Sequence, residues 1–231
     1  MHKSRTDGQE CGDQEDFQRQ NRIFVPEDNE NPQPINTTDK MKSLGSKPYL
    51  FPMPTYMIGT YNEDGTVDAM MMAWGGIVDT RMVALNLESS HKTVKNLRDR
   101  KAFTLSIPGT DTLKESDYLG TASGNKYPDK FAVSGLHAIA STNVDAPVIT
   151  EYPVTLECKV VEFQDQPYGL RVLGEIVNVL ADEKVLDEKG RIDAGKLNAF
   201  AFDQMQNGYY AIGERIGTAW HEGMPLLKKE G

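Results

Sequence analysis

The feature that most constrains the fold is a period-two alternation of apolar and polar side chains, which recurs from Tyr49 onward. Residues 83–87, 103–106 and 154–160 all place apolar side chains at every second position, with small or polar neighbours between them. Such alternation is typical of β-strands that bury one face in a core. The sequence therefore predicts a mainly β domain.

Turn signals divide these strands. Residues 62–65, Asn-Glu-Asp-Gly, predict a hairpin turn that joins a strand at 56–61 to a strand at 67–72. The apolar run at residues 170–180 is interrupted by Gly174, which indicates a β-bulge or a close approach of another chain segment.

Helical signals are few and short. Residues 90–100 begin with Ser90 as a plausible N-cap and place Val94 and Leu97 three positions apart, as an amphipathic helix requires. Weaker candidates cover residues 111–120 and 193–198. These signals favour small helices over the ends of a β-barrel and argue against a βαβ fold.

The first forty residues differ in character from the rest. Residues 1–40 are rich in Asp, Glu, Gln and Asn, and their one apolar cluster is at 23–25. Because such a segment cannot bury enough apolar surface to offset its ordering entropy, we expect a disordered leader. Met41 could itself be a translation start, and a genuine flexible extension is the alternative. Residues 41–231 are then one domain with a C-terminal extension.

The charge and the cysteine content of the chain limit the kinds of binding partner and the cellular compartment that we expect. The net charge of -9 and the pI near 5.0 disfavour binding to nucleic acid or to an anionic membrane, which needs clustered Lys and Arg. The longest mainly apolar run, residues 69–78, is about half of the ~20 residues that span a bilayer. The two cysteines, Cys11 and Cys158, allow at most one disulfide, so a reduced, cytoplasmic protein is expected.

The most informative motif is a cluster of hydroxyl and basic side chains at residues 88–93, between a strand and a helix. A helix N-terminus offers unpaired backbone N–H groups and the positive end of the helix dipole, which suit a phosphate. The alternative is a purely structural role, in which Ser90 only caps the helix and Lys92 is a solvated surface charge. The candidate phosphate ligands are Ser89, Ser90, His91, Lys92 and Thr93.

A second motif, residues 70–76, reads Met-Met-Met-Ala-Trp-Gly-Gly at the end of a strand. Met and Trp offer polarizable apolar surface, and glycines allow a flat ligand to approach the backbone. A core strand that ends in a glycine turn is the alternative. The candidate ring contacts are Met72, Ala73, Trp74 and Gly75.

A third motif is the loop at residues 123–131, which combines small residues, two cations and an aromatic side chain. Such a loop could close over a phosphate or a ring edge, although a plain turn-rich loop needs no function. Its candidate ligands are Ser123, Gly124, Lys126 and Lys130.

Other chemistries lack their motifs. Neither G-x-G-x-x-G nor G-x-x-x-x-G-K-[ST] occurs, so neither a Rossmann site nor a P-loop is predicted. The four histidines are too scattered for a zinc site, and His137 is expected to be packed or exposed rather than catalytic. Cys158 lies on the apolar face of its strand, which favours a buried thiol over a nucleophile. No pair of carboxylates stands out, so no catalytic residue is predicted.

Together, these motifs resemble the flavin reductase-like, FMN-binding split-barrel family, and within it the flavoredoxin-like branch. The matching stretches, in order, are PMPTYMIGT, AMMMAWGG, NLESSHKTVKNLRDRKAFTLSIP, SGNKYPDKF, PVTLECKVVE and GLRVLGEIVNV, with GYYAIGERIGTAW near the C-terminus. The likeness covers residues 49 to about 179. It departs at residues 79–81, Asp-Thr-Arg, where the family often carries proline.

The resemblance implies a six-stranded split β-barrel that pairs into a homodimer and holds FMN near the subunit interface. Ala73 and Trp74 would then lie beside the isoalloxazine ring. Ser89, His91, Lys92 and Thr93 would surround the phosphate, and the loop ligands named above would close the site. It also implies hydride transfer from NADH or NADPH to FMN, with the flavin performing the redox step. The alternatives are an FMN-binding electron carrier served by a protein partner and, more remotely, an FMN-dependent amine oxidase.

Overall fold

The computed structural model describes residues 41–227. The predicted leader at residues 1–40 therefore lies outside the described residues. The chain divides into two units, Met1–Lys47 and Pro48–Gly231, and every helix and strand described below belongs to the second. The strands are β1 (Met53–Pro54), β2 (Tyr56–Tyr61), β3 (Val67–Met72), β4 (Gly75–Asp79), β5 (Met82–Leu87), β6 (Ala102–Ile107), β7 (Ala138–Ala140), β8 (Pro147–Ile149), β9 (Val154–Gln166), β10 (Gly169–Ala181), β11 (Phe200–Asp203) and β12 (Gly208–Ala211).

Short helices connect these strands, as the sparse helical signals predict. The α-helices are α1 (Lys92–Arg100), α2 (Leu113–Thr121), α3 (Lys130–Ser134) and α4 (Met224–Leu227). The third candidate helix is a 3-10 turn at Ala194–Leu197, where the Asp193 side chain accepts a hydrogen bond from Gly195 N. Among the residues described, none of the helices has the length and apolar character needed to cross a membrane.

The main sheet has seven antiparallel strands in the order β3-β2-β6-β9-β10-β5-β4. The predicted hairpin between β2 and β3 is confirmed, and Asn62 N donates to Thr66 O across its turn at 2.8 Å. The smaller sheets are β1-β11-β12 and β7-β8.

The seventh strand follows the apolar motif directly. Gly75 does not form the glycine turn that was the alternative for this motif, because it begins β4 and pairs with Leu85. A side chain at Gly75 would overlap the carbonyl oxygen of Ala84, so glycine is needed where these strands pass closely. The sheet thereby gains one strand over the expected six.

Both predictions made for Gly174, a β-bulge and a close approach of another segment, are confirmed. The register between β9 and β10 shifts between Leu173 and Gly174, which is the signature of a β-bulge. A Cβ atom at Gly174 would also lie 2.5 Å from Cζ of Phe103. The bulge therefore admits the Phe103 ring, which is fully buried in the core.

The core forms on the inner face of this sheet. Val83, Leu85, Phe103 and Val172 are all completely buried there, as is Cys158. Burial, with a smaller contribution from Glu157, raises the pKa of the Cys158 thiol to about 12. The thiol therefore stays protonated, and the prediction of a buried rather than nucleophilic cysteine is confirmed.

Strand β6 departs from the one-face pattern. Thr104 and Ser106, expected on a polar face, are completely buried because β8 and β9 lie against them. The Thr104 hydroxyl donates to Pro147 O at 2.6 Å, and Ser106 Oγ lies 2.8 Å from Thr155 Oγ1. Satisfied hydrogen bonds allow these polar groups to be buried.

Candidate functional site

The three motifs singled out in the sequence meet around a cavity of about 240 Å³. One wall is the end of β3 with the residues that follow, the second is the start of α1, and the third is the loop between α2 and α3. The predicted site residues that line it are Met72, Ala73, Trp74, His91, Lys92, Thr93, Ser123, Gly124 and Lys130. The remaining four, Gly75, Ser89, Ser90 and Lys126, adjoin these segments but do not line the cavity.

The start of α1 differs from its prediction. Its N-cap is His91 rather than Ser90, because a turn in which His91 N donates to Glu88 O at 3.0 Å takes up both serines. The His91 side chain makes no capping hydrogen bond, and no acidic residue lies in the first turn. The uncapped N-terminus therefore keeps its positive potential at the edge of the cavity.

His91 carries an unpaired buried atom into this site. Its Nδ1 is buried and has no hydrogen-bond partner among the residues that the structure describes. Burial lowers the pKa of His91, Glu88 opposes that effect, and Lys130 adds to it. The imidazole is therefore neutral near pH 7, with one nitrogen ready to accept or donate a hydrogen bond to a ligand.

The Thr93 hydroxyl is already committed within the protein. It donates to Asp68 Oδ2 at 3.1 Å, and both side chains are buried. Its one proton is engaged in that bond, so Thr93 can offer a ligand only the acceptor lone pairs of its hydroxyl oxygen. Sequence reasoning missed Asp68, although a lone carboxylate within the apolar strand at residues 67–72 is a usable signal.

The Lys130 ammonium is likewise directed to the protein. It donates to Leu119 O at 3.0 Å and Ala122 O at 3.1 Å, and it lies 3.6 Å from Asp68 Oδ1. Burial lowers the pKa of Lys130, and Asp68 opposes that effect. Lys92 is therefore the cavity-lining cation with no ion pair among the residues described in the structure.

The loop after α2 lies against both α1 and β3. Asn125 Nδ2 donates to Ser90 O at 2.9 Å, and a Cβ atom at Gly124 would lie 2.8 Å from Asp68 Oδ1. The same Cβ would lie 3.1 Å from Cβ of Lys92. Only glycine fits this approach, so the expectation that the loop closes the site is consistent with its position.

A relay of hydrogen bonds holds the backbone at Trp74. Its carbonyl accepts from Asn86 N at 2.8 Å and from Asn86 Nδ2 at 3.2 Å, and Arg171 Nε donates to Asn86 Oδ1 at 3.0 Å. The Trp74 side chain itself is 47% exposed. Nothing in the local sequence marked these two residues. Asn86 reaches Trp74 through the pairing of β4 with β5, and Arg171 reaches Asn86 through the pairing of β10 with β5.

A larger cavity, of about 710 Å³, adjoins the first. The two share Trp74, Leu87 and His91 as lining residues. Tyr168 and Arg171, from the β9–β10 hairpin, line only the larger one. A ligand beside Trp74 therefore has open volume next to it.

His137 lies apart from the cavity. His137 is exposed, and its Nδ1 lies 2.7 Å from Glu151 Oε1, as expected for a surface histidine. Within residues 41–227, no group of three His, Cys, Asp or Glu side chains is placed to hold a metal ion.

The fold and this arrangement define a class. A family model described as the flavin reductase-like domain matches residues 49–200, about two thirds of the chain. The chain therefore belongs to the flavin reductase-like family, and its fold is that family's split β-barrel. The resemblance drawn from the sequence motifs is confirmed.

Particular relatives support the same placement. The chain is similar to the solved flavoredoxin of Desulfovibrio vulgaris (Miyazaki F), with 34% identity, 79% of this chain and 99% of that chain covered, and a TM-score of 0.75. It is also similar to flavoredoxin from Methanosarcina acetivorans, with 25% identity, coverage of 80% and 100%, and a TM-score of 0.73. A curated relative, the uncharacterized protein YdfE of Bacillus subtilis (strain 168), is 21% identical over 199 residues, covering 79% of this chain and 95% of its own.

Proposed function

We propose that the protein binds FMN in the 240 Å³ cavity. The observation that carries this proposal is that one cavity joins an apolar wall, Met72 to Trp74, to the uncapped N-terminus of α1 with Lys92. A planar ring with a phosphorylated tail matches that polarity. The ring would lie by Met72, Ala73, Trp74 and Gly75, the phosphate by Ser89, Ser90, His91, Lys92 and Thr93, and the closing loop would contribute Ser123, Gly124, Lys126 and Lys130.

The charges of the cavity support a phosphate monoester. The buried Asp68 and Lys130 side chains offset one another, so this pair adds no net charge beside the cavity. Lys92 and the helix N-terminus then supply the uncompensated positive potential. The unpaired Nδ1 of His91 gives a ligand one further hydrogen-bonding group.

We further propose that the protein is an NAD(P)H:FMN oxidoreductase that passes electrons on to an acceptor. Bound FMN would supply the hydride chemistry that none of the described side chains can supply. The chain would orient the ring through the hydrogen-bonded backbone at Trp74. The larger cavity beside Trp74 and His91 offers room for a second planar ligand, which is the support for direct reduction by NADH or NADPH.

The second candidate is an FMN-binding electron carrier without direct NAD(P)H oxidation. The 34% identity with a solved flavoredoxin over nearly all of that chain favours it. In that case Trp74 would cover the ring face, and a protein partner would replace the nicotinamide nucleotide as electron donor.

A homodimer and a cytoplasmic location complete the proposal. Ile77 and Val78 are largely exposed on β4, an edge strand of the main sheet, and an exposed apolar edge of this kind favours pairing with a second copy. The cytoplasmic location rests on the composition of the chain and on the free, buried Cys158.

Anaerobic reduction separates the two candidates. When NADH or NADPH is added to the FMN-loaded protein without oxygen, the reductase predicts rapid bleaching of the flavin absorbance that saturates with nucleotide. If dithionite bleaches the flavin but neither nucleotide does, the electron carrier becomes the better account. The Trp74→Gly variant then shows whether steric closure is the reason, since bleaching would be restored only if Trp74 blocked access.

A further inference from the structure

The Asp68 carboxylate contacts two elements that border the candidate cavity, the helix α1 and the start of α3. On one side its Oδ2 accepts the Thr93 hydroxyl, which lies in the first turn of α1, at 3.1 Å. On the other side its Oδ1 lies 3.6 Å from Lys130 Nζ at the start of α3. Both charged side chains are only 3% exposed, so solvent does not weaken the pair.

Lys130 extends this contact to the closing loop. Its ammonium donates to Leu119 O and Ala122 O, at the C-terminal end of α2. A cation is favourable at a helix C-terminus, where carbonyl groups lack partners within the helix. Because Ser123 follows Ala122 directly, Lys130 fixes the point at which the loop leaves α2.

The loop also packs directly on Asp68. A Cβ atom at Gly124 would lie 2.8 Å from Asp68 Oδ1, so the backbone there touches the carboxylate. Beyond it, Asn125 Nδ2 donates to Ser90 O at 2.9 Å, which fastens the loop to the turn before α1. The loop and the start of α1 are therefore held at a fixed separation across the cavity.

The position of Asp68 is unexpected on electrostatic grounds alone, since a carboxylate beside an anion-binding cavity repels the anion. Its contacts explain its presence. We infer that Asp68 is a positioning residue that sets the separation of the α1 N-terminus from the loop at residues 123–126, and thereby selects a flavin with a terminal phosphate over the unphosphorylated flavin. This inference rests on the proposed function. Asp68 itself does not line the cavity.

The test compares Asp68→Ala, Asp68→Asn and the wild-type protein as each is titrated with FMN and with riboflavin, followed by flavin fluorescence. The measured quantity is the ratio of the two dissociation constants. Asp68→Ala removes the acceptor for both Thr93 and Lys130, whereas Asp68→Asn keeps one oxygen. The preference for FMN should fall in the order wild type, Asn, Ala. The Ala variant should lose roughly tenfold or more, as expected for one misplaced charge-assisted hydrogen bond.

The matched control is Asp99→Ala, which removes an exposed carboxylate from the same helix α1 and should leave the ratio unchanged. Two results would overturn the inference. If Asp68 acts only as a charge, both variants would gain preference for FMN equally. If it only stabilises the fold, affinity for both flavins would fall together. Should Asp68→Ala not fold, Asp68→Asn still decides, because these accounts predict different changes. A wild-type protein without preference for FMN would overturn the proposed function as well.

Discussion

Lys130 Nζ lies 3.6 Å from Asp68 Oδ1, and the two side chains form an ion pair almost completely removed from solvent. Two backbone carbonyls complete the ammonium's hydrogen bonds, and the Thr93 hydroxyl donates to the carboxylate. Such a pair is costly to break from one side, because the remaining charge stays buried without a partner.

The Lys130→Met variant should therefore lose about 3–5 kcal/mol of unfolding free energy, measured by urea denaturation at pH 7. The double variant Asp68→Asn/Lys130→Met should recover part of that loss, because it leaves no buried charge. The control is Lys95→Met, which breaks the exposed pair with Glu63 and should change stability little. Equal losses of unfolding free energy in Lys130→Met and Lys95→Met would show that breaking the buried pair costs no more than breaking an exposed one.

Gly124 provides a test of the loop that does not alter a charge. In Gly124→Ala the new methyl group would meet Asp68 Oδ1 at 2.8 Å, so the loop must move away from β3 and α1. Flavin affinity should fall while the circular dichroism spectrum stays that of the wild type. Gly213→Ala is the matched control, since a Cβ atom there meets nothing within 4 Å. Unchanged affinity in Gly124→Ala would mean that the loop is not a wall of the binding site.

Ionisation of Glu157 should account for part of the loss of folding stability at acidic pH. Burial would raise its pKa, but hydrogen bonds from Ser141, Asn178 and Asn143 outweigh it and hold the pKa of Glu157 below its ordinary value. Because the folded pKa is depressed, the stabilisation is present above the unfolded pKa, about 4.5, and is lost as pH falls through the folded pKa.

Glu157→Gln should thus destabilise the protein at pH 7 by roughly 1.5–3 kcal/mol, and the gap to wild type should narrow as the pH falls below about 4.5. Urea denaturation at pH 7 and at pH 4 measures both values. The control is Glu162→Gln, an exposed position on the same strand β9. A gap that stays constant over this range would rule out the ionised Glu157 as its source.

Local patterns predicted the fold well and the site in part. Alternation and turn chemistry located β2, β3 and the bulge at Gly174, because those features depend on neighbouring residues. The burial of Thr104 depends instead on a segment distant in sequence, since its hydroxyl donates to Pro147 O. No local pattern contains that information.

The same distinction holds at the site. The sequence brought out Lys92 and Trp74, whose chemistry is visible from their own neighbours. It could not show that the Lys130 ammonium donates to carbonyls at the end of α2, or that the Thr93 hydroxyl donates a hydrogen bond to Asp68. Both contacts form only when separate elements meet. The roles of the proposed FMN ligands stay predictions.

The most direct test of the central claim measures the dissociation constants of FMN and riboflavin for the wild type, Lys92→Ala and Lys95→Ala. Flavin fluorescence reports the binding. The wild type should prefer FMN, and Lys92→Ala should lose roughly tenfold or more of that preference with its affinity for riboflavin nearly unchanged. Lys95→Ala, one turn along α1 but with its ammonium paired to Glu63, should behave as wild type. If the wild type binds both flavins equally, or if Lys92→Ala weakens both alike, the phosphate does not lie at the N-terminus of α1.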